Sequence, residues 1–237
     1  MKSKLSNPIR ALVKSFSGRA RQVRAEIFRH HFFFDENTKI LDLGSETGSN
    51  IKFVLEGTKA QASNIYIADI DSLVVEKGRE VFGFTPVVIS ESEGLPFPDG
   101  YFDIVYCSSV IEHVTIPKNS VWTMYSGAEF KSKSLERQAN FSNEIRRLGK
   151  QYFVQTPYKH FLIESHSWLP FVAWLPRWLL ILTLRITNTF WVKKTSPDWY
   201  LLDRKEMSAL FPEAKIVEEK KWGMTKSIMA INTTSSK

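Results

Sequence analysis

Four residues near the start of the sequence are spaced to build a ligand site: Asp42, Gly44, Gly48 and Asp69. Residues 40–50 read ILDLGSETGSN, an apolar run that ends in an acid and two glycines. Glycines four residues apart let the backbone come close to a ligand. A dinucleotide site would read G-x-G-x-x-G and lay pyrophosphate on the following helix N-terminus. GSETGS (44–49) does not fit that spacing, and Asp42 and Glu46 would repel a pyrophosphate. Their charge suits a cationic ligand, an ammonium or a sulfonium. Asp69 ends a second apolar run, 21 residues after Gly48. A carboxylate at about that distance accepts hydrogen bonds from ribose hydroxyls. Asp71 is a rival acid, but it stands where a helix cap belongs.

The rest of the chain must hold these residues at one edge of a scaffold. KILDL (39–43), NIYIAD (64–69), PVVIS (86–90), FDIVYC (102–107) and QYFVQ (151–155) read as short buried strands. Residues 49–57, 71–82 and 135–148 read as helices between them, with Gly57 and Gly149 as stops. Alternation of this kind predicts an α/β fold of βαβ units with a mainly parallel sheet. Ligands bind outside the carboxyl ends of such strands. Functional residues are therefore expected just after 43, 69, 90, 107 and 155. Asp203 and Glu206 predict a capped helix over 203–212. Residues 214–233 read as an antiparallel hairpin turning at Gly223, which brings the sheet to seven strands. A basic amphipathic helical arm (1–37) precedes the domain (38–237), and a Trp-rich helical insertion at about 158–202 interrupts it.

The net charge of +7 sits in residues 1–34, which hold eight Lys or Arg and one acid, Glu26. Residues 35–237 balance at 24 of each sign, which argues against a nucleic-acid partner. The arm suits an anionic surface or a solvated helix face. One cysteine, Cys107, allows no intrachain disulfide and fits a reducing, cytoplasmic setting. The basic start is not followed by a secretory apolar run.

A ribose, a positive charge and no phosphate describe S-adenosylmethionine. The sequence also resembles the Rossmann-like (class I) S-adenosylmethionine-dependent methyltransferases, methyltransferase type 11-like, over residues 38 to 157. ILDLGSETG is similar to the family's first motif, IYIADID to its second, and ESEGLPFPDGYFDIVYCSSVIEHV (91–114) to the long motif around strand four. The resemblance implies a doubly wound, Rossmann-like sheet, and that Asp42 helps to hold the methionine ammonium. Gly44, Ser45 and Gly48 would form the close loop, Asp69 bind the ribose and Ile70 pack on adenine. Glu91 and Ser92 would meet the adenine amino group, and Cys107 and Ser108 the methionine end. Glu46 departs from the motif's middle glycine, which leaves a catalytically silent scaffold as an alternative.

Methyl transfer is an in-line displacement that gains from a positioned acceptor and, for a hydroxyl, from a general base. His113, His160 and His166 are the candidate bases. His160, Glu164 and His166 match no strong metal spacing, and no metal is expected. The insertion holds Trp168, Trp174, Trp178 and Trp191. It reads as a lid packed on the domain or on a partner subunit, as in a homodimer. The alternative is a membrane-surface element over 167–192, acting with 1–34 at the inner face. The expected acceptor is a small molecule, a saccharide or a lipid-linked group, methylated on oxygen. RNA or protein is the alternative acceptor.

Overall fold

The computed structural model describes residues 6–90 and 94–233. Its strands are β1 (Ile40–Leu43), β2 (Ile65–Asp69), β3 (Thr85–Val88), β4 (Phe102–Ser108), β5 (Gly149–Pro157), β6 (Lys215–Lys221) and β7 (Met224–Asn232). The helices are α1 (Ser6–His31), α2 (Ser49–Val54), α3 (Ser72–Phe82), α4 (Gly127–Leu148), α5 (Arg177–Phe190) and α6 (Arg204–Leu210). The strands form one sheet in the order β3-β2-β1-β4-β5-β7-β6. β1 to β5 run parallel, and β7 lies antiparallel between β5 and β6. This is the mainly parallel α/β sheet with a C-terminal hairpin that the sequence predicts, in the doubly wound, Rossmann-like arrangement that the resemblance implies.

Strand periodicity divides the core into two layers. Leu41, Leu43, Val105, Tyr152 and Val154 pack with Ile145 and Leu148 of α4 and Met207 of α6. Ile40, Ile104, Tyr106 and Phe153 pack with Phe28 of α1, Ile51 of α2 and Val75 of α3. Phe28 meets Tyr106 and Phe153 edge-on, at 5.0 and 5.3 Å between ring centres. The second half of the basic helix is thus part of the core, and Phe32 and Phe34 extend it. Lys2 and Lys4 lie outside the described residues.

Several boundaries differ from expectation. α2 stops at Val54, because the Thr58 N–H and hydroxyl turn back onto the Leu55 carbonyl, at 3.0 and 2.8 Å. β3 is a short strand of four residues. α4 begins eight residues before the predicted start, capped by Ser126, whose hydroxyl accepts from Glu129 N–H. Its buried face carries Ser134, Gln138 and Ser142, which break the apolar stripe. Gln138 is buried because its amide donates to the carbonyls of Ile111 and Tyr200, at 2.9 and 3.1 Å.

The sheet order reverses direction between β1 and β4. In doubly wound sheets the ligand crevice opens at that switch point.

Candidate active site

The loop after β1 stands at the switch point. Gly44 and Gly48 take left-handed backbone angles, φ 74° and 75°. A Cβ on Gly44 would lie 2.6 Å from the Val110 methyls, so glycine lets the β1 and β4 loops touch. A Cβ on Gly48 would meet Ile67 at 2.8 Å and Phe84 at 2.9 Å. Gly78 of α3 is equally tight, its missing Cβ 2.5 Å from the Thr47 carbonyl oxygen. The helix therefore presses directly on the loop.

Asp42 shares a layer with Ile40 and Tyr106, beneath the loop. It is 3% exposed, and its Oδ2 has no hydrogen-bond partner among the described residues. Burial, with the charge of Asp69 added, pushes its carboxyl well above the ordinary carboxylate range. Ser45 Oγ is a second buried polar atom without a partner there. Tyr106, which pairs with Asp42 across the strands, has its phenol pushed up to about 12 by burial and by the Asp42 charge. Asn50 donates to its hydroxyl at 3.0 Å.

Asp69 is fixed by two backbone donors. Glu46 N–H reaches Oδ2 at 2.9 Å, and Asp71 N–H reaches Oδ1 at 3.2 Å. A carboxylate offers about four lone-pair sites, so acceptor capacity remains for hydroxyls of a ligand. Asp71 is the cap of α3, accepting from Leu73 N–H at 2.9 Å. Glu46 adopts φ 50°, a left-handed position otherwise suited to glycine, and is exposed. Its backbone serves the loop while its side chain faces solvent.

The ends of β4 and β5 carry the second group. Gln155 is buried and accepts from the hydroxyls of Ser108 and Ser109, at 2.7 and 3.2 Å. A single helical turn, Ile111–His113, follows. Glu112 is fully buried; its Oε2 accepts from the Thr156 hydroxyl at 3.0 Å, and its Oε1 has no hydrogen-bond partner among the described residues. His166 Nε2 stands 3.6 Å from that Oε1, a charge contact too long for a hydrogen bond. His166 Nδ1 lies 2.5 Å from Glu164 Oε1, and its ring stacks on Trp199. Burial opposes charge on His166, but Glu112 and Glu164 outweigh it and raise its pKa to about 9. Burial likewise opposes charge on Glu164, and His166 reverses it, holding the carboxyl below its usual value. His113 packs edge-on against His166 at 4.6 Å between ring centres, with Nδ1 3.5 Å from Asp198.

The structure thus brings together Asp42, Gly44, Ser45, Gly48 and Asp69 at one loop, and His113 and His166 at the β4–β5 end. Ile70 follows Asp69 and is 53% exposed. Ser108 faces Gln155, whereas Cys107 points the opposite way. Its thiol is buried in the α4-side core, and burial pushes its pKa well up. His160 is exposed beside Tyr158, apart from the other two histidines. Glu91 and Ser92 lie outside the described residues. Spacing did not single out Thr156, Gln155 or Asp198; a polar residue closing an otherwise buried strand is the signal that marks the first two. A cleft of about 790 Å³ opens between the ends of β1 and β3 and helix α4, with Leu43, Ile89, Leu95, Ile116, Met124 and Phe141 in its walls.

Residues 41–125 match the Methyltransferase domain family. The ubiquinone/menaquinone biosynthesis C-methyltransferase UbiE of Erwinia tasmaniensis is 29% identical over 93 residues, 37% of each chain. The Citrobacter koseri protein of the same name is 30% identical over 92 residues, 36% of each chain. The chain thus spans little more than a third of the length of these relatives. Two solved structures share the fold. A Nostoc punctiforme protein assigned as an O-methyltransferase has a TM-score of 0.54 at 14% identity, covering 90% of this chain and 56% of that one. A Haloferax volcanii protein assigned as a methyltransferase, in complex with the Trm112 activator, has a TM-score of 0.52 at 12% identity, covering 92% of each chain. Motifs, matched segment and fold agree: over residues 41–125 the chain is similar to the methyltransferase domain family, and its sheet has the Rossmann-like (class I) fold of S-adenosylmethionine-dependent methyltransferases.

Proposed function

We propose that the protein transfers the sulfonium methyl of S-adenosylmethionine to an oxygen of a small acceptor with an apolar body, such as a saccharide-bearing or lipid-linked molecule. The observation that carries this reading is the pair Asp42 and Asp69. One is a buried carboxylate with an unpartnered oxygen under the glycine loop. The other is oriented by two backbone N–H groups with capacity to spare. A buried carboxyl that a bound cation would ionise, set beside a ribose acceptor, suits a cationic nucleoside without phosphate. Asp42 would face the methionine ammonium across the loop, Asp69 hold the ribose, and Gly44 and Gly48 admit the cofactor. In the transfer, an acceptor lone pair forms the new C–O bond, the C–S pair returns to sulfur, and the hydroxyl proton leaves to a base or water.

Apolar walls in the cleft fit the body of such an acceptor. The insertion adds a surface of the same character. Trp174, Trp178, Leu182, Ile186 and Phe190, four residues apart, are all about half exposed or more. The opposite face of α5 packs inward through Leu180 and Leu184. No described helix is long and apolar enough to cross a membrane. An interfacial helix of this kind, with the basic α1, suits a protein lying on the cytoplasmic face of an anionic membrane. Carbon is the second reading for the acceptor atom, because the UbiE relatives are C-methyltransferases.

The test is incubation of the full chain with methyl-labelled S-adenosylmethionine and lipid and saccharide extracts. The reading expects label in an extractable product and equal release of S-adenosylhomocysteine. Loss of the label on ether or ester cleavage separates oxygen from carbon. Label in RNA or protein alone would overturn the acceptor class.

A further inference from the structure

We propose that Glu112, His113 and His166 bind one divalent first-row transition-metal ion, and that its open coordination position takes an oxygen of the acceptor. The second half rests on the methyltransferase reading; the first half does not.

One ligand atom from each of the three residues falls within 4.8 Å of the others. His166 Nε2 and Glu112 Oε1 are 3.6 Å apart. Two ligands about 2.0–2.2 Å from a tetrahedral ion stand roughly 3.4 Å from each other. The pair is therefore spaced for a shared ion and too wide for a good hydrogen bond.

Glu112 Oε1 is the unsatisfied atom. A fully buried carboxylate oxygen without a hydrogen-bond donor is costly, and a metal ion taking the place of the His166 proton would ligate it directly. Each ligand also has its own outer partner, the arrangement that fixes ligands around metals. Thr156 holds Oε2 of Glu112 and leaves Oε1 turned away. Glu164 holds Nδ1 of His166, which directs Nε2 toward Glu112. Asp198 approaches Nδ1 of His113.

Two imidazoles and one carboxylate suit zinc, cobalt, iron or manganese better than magnesium or calcium. Three protein ligands leave a position for a fourth. The place in the fold gives that position a use. Val110, two residues before Glu112, has its methyls against Gly44 of the cofactor loop. An acceptor hydroxyl on the ion would be acidified and would lose its proton to water.

The test uses the full chain stripped with a chelator. Titration with zinc by calorimetry, and with cobalt by visible absorption, should show one ion per chain. His166→Ala and Glu112→Gln should abolish the site. Glu164→Gln should weaken it about 10–100-fold, as loss of an outer partner does. His30→Ala, an exposed histidine on α1, controls for adventitious binding and should change nothing. Glu112 is buried, so its variant is read only if it melts cooperatively. His113→Ala, at a side chain 37% exposed, gives the same test without that risk. No uptake at millimolar metal, or equal uptake in His113→Ala and His166→Ala, overturns the site. S-adenosylhomocysteine titrated into the same samples separates the two claims. Nucleoside binding without metal uptake sinks only the metal site; metal uptake without nucleoside binding sinks only the methyltransferase reading.

Discussion

Asp42→Asn should make the ligand-free protein more stable and the cofactor site worse. The Asp42 carboxyl is buried, has one oxygen without a partner, and faces the charge of Asp69. Leaving a buried polar atom unsatisfied costs about 1–3 kcal/mol, and more when it is charged. Asparagine keeps the shape and removes the charge, so much of that cost should return. A chain of this size gains roughly 2–4 °C in Tm per kcal/mol, which makes the shift several degrees. Its pH dependence is the diagnostic part. Folding raises the Asp42 pKa above its ordinary value of 3.8. The wild type is unpenalised below that value and loses stability as pH climbs through the raised pKa. The gain in the variant should therefore vanish in acid and grow toward alkaline pH. Binding should move the other way. Loss of a charged hydrogen-bonding partner costs about 1.5–3 kcal/mol, or roughly 10–150-fold in Kd for S-adenosylhomocysteine. Thermal melts over pH and calorimetry on both proteins give the result. A variant less stable than wild type at every pH, with unchanged affinity, would refute the reasoning.

Other substitutions test the scaffold and its surface. Arg177 is buried, donates to the carbonyls of Val121, Met124 and Pro197, and lies 3.3 Å from the Phe130 ring centre. Arg177→Ala should cost at least about 3 kcal/mol, with Lys rescuing little, because three acceptors are orphaned; an unchanged denaturation midpoint would contradict this. Gly78→Ala should destabilise by about 1–3 kcal/mol despite alanine's helix propensity, because the Thr47 backbone cannot yield to a Cβ. A stabilised variant would show that α3 does not press on the loop. Glu46→Gly should leave S-adenosylhomocysteine affinity unchanged and stability within about 1 kcal/mol, since relief of the left-handed strain offsets glycine's entropy. Replacing Trp178, Leu182 and Phe190 with Ser should abolish flotation with anionic vesicles and leave melting unchanged; equal flotation would remove the membrane surface from the account.

The strands were legible because five short apolar runs fall between helical patterns. α6 was legible too: Asp203 and Glu206 cap it reciprocally, as their spacing implies. The first third of α4 was not, because Gly127–Ser134 carries one buried aromatic, Phe130, among polar residues, and buried Ser134 looks solvated in the sequence. The loop acids could be read from spacing, since a strand end and a turn fix where Asp42 and Asp69 must lie. The direction of Cys107 could not. Side chains alternate along β4, so a strand that extends one residue further places Ser108, and not Cys107, beside Gln155. The cluster of Glu112, His113 and His166 depends on a fold of the insertion that brings together residues over fifty positions apart. Local sequence carries no record of that contact.

Calorimetric titration of S-adenosylhomocysteine into the wild-type chain and into Asp69→Ala tests the central claim most directly. The account predicts one site per chain, with affinity lost in Asp69→Ala while its fold is retained. No binding by the wild type, or equal binding by the folded variant, would contradict it.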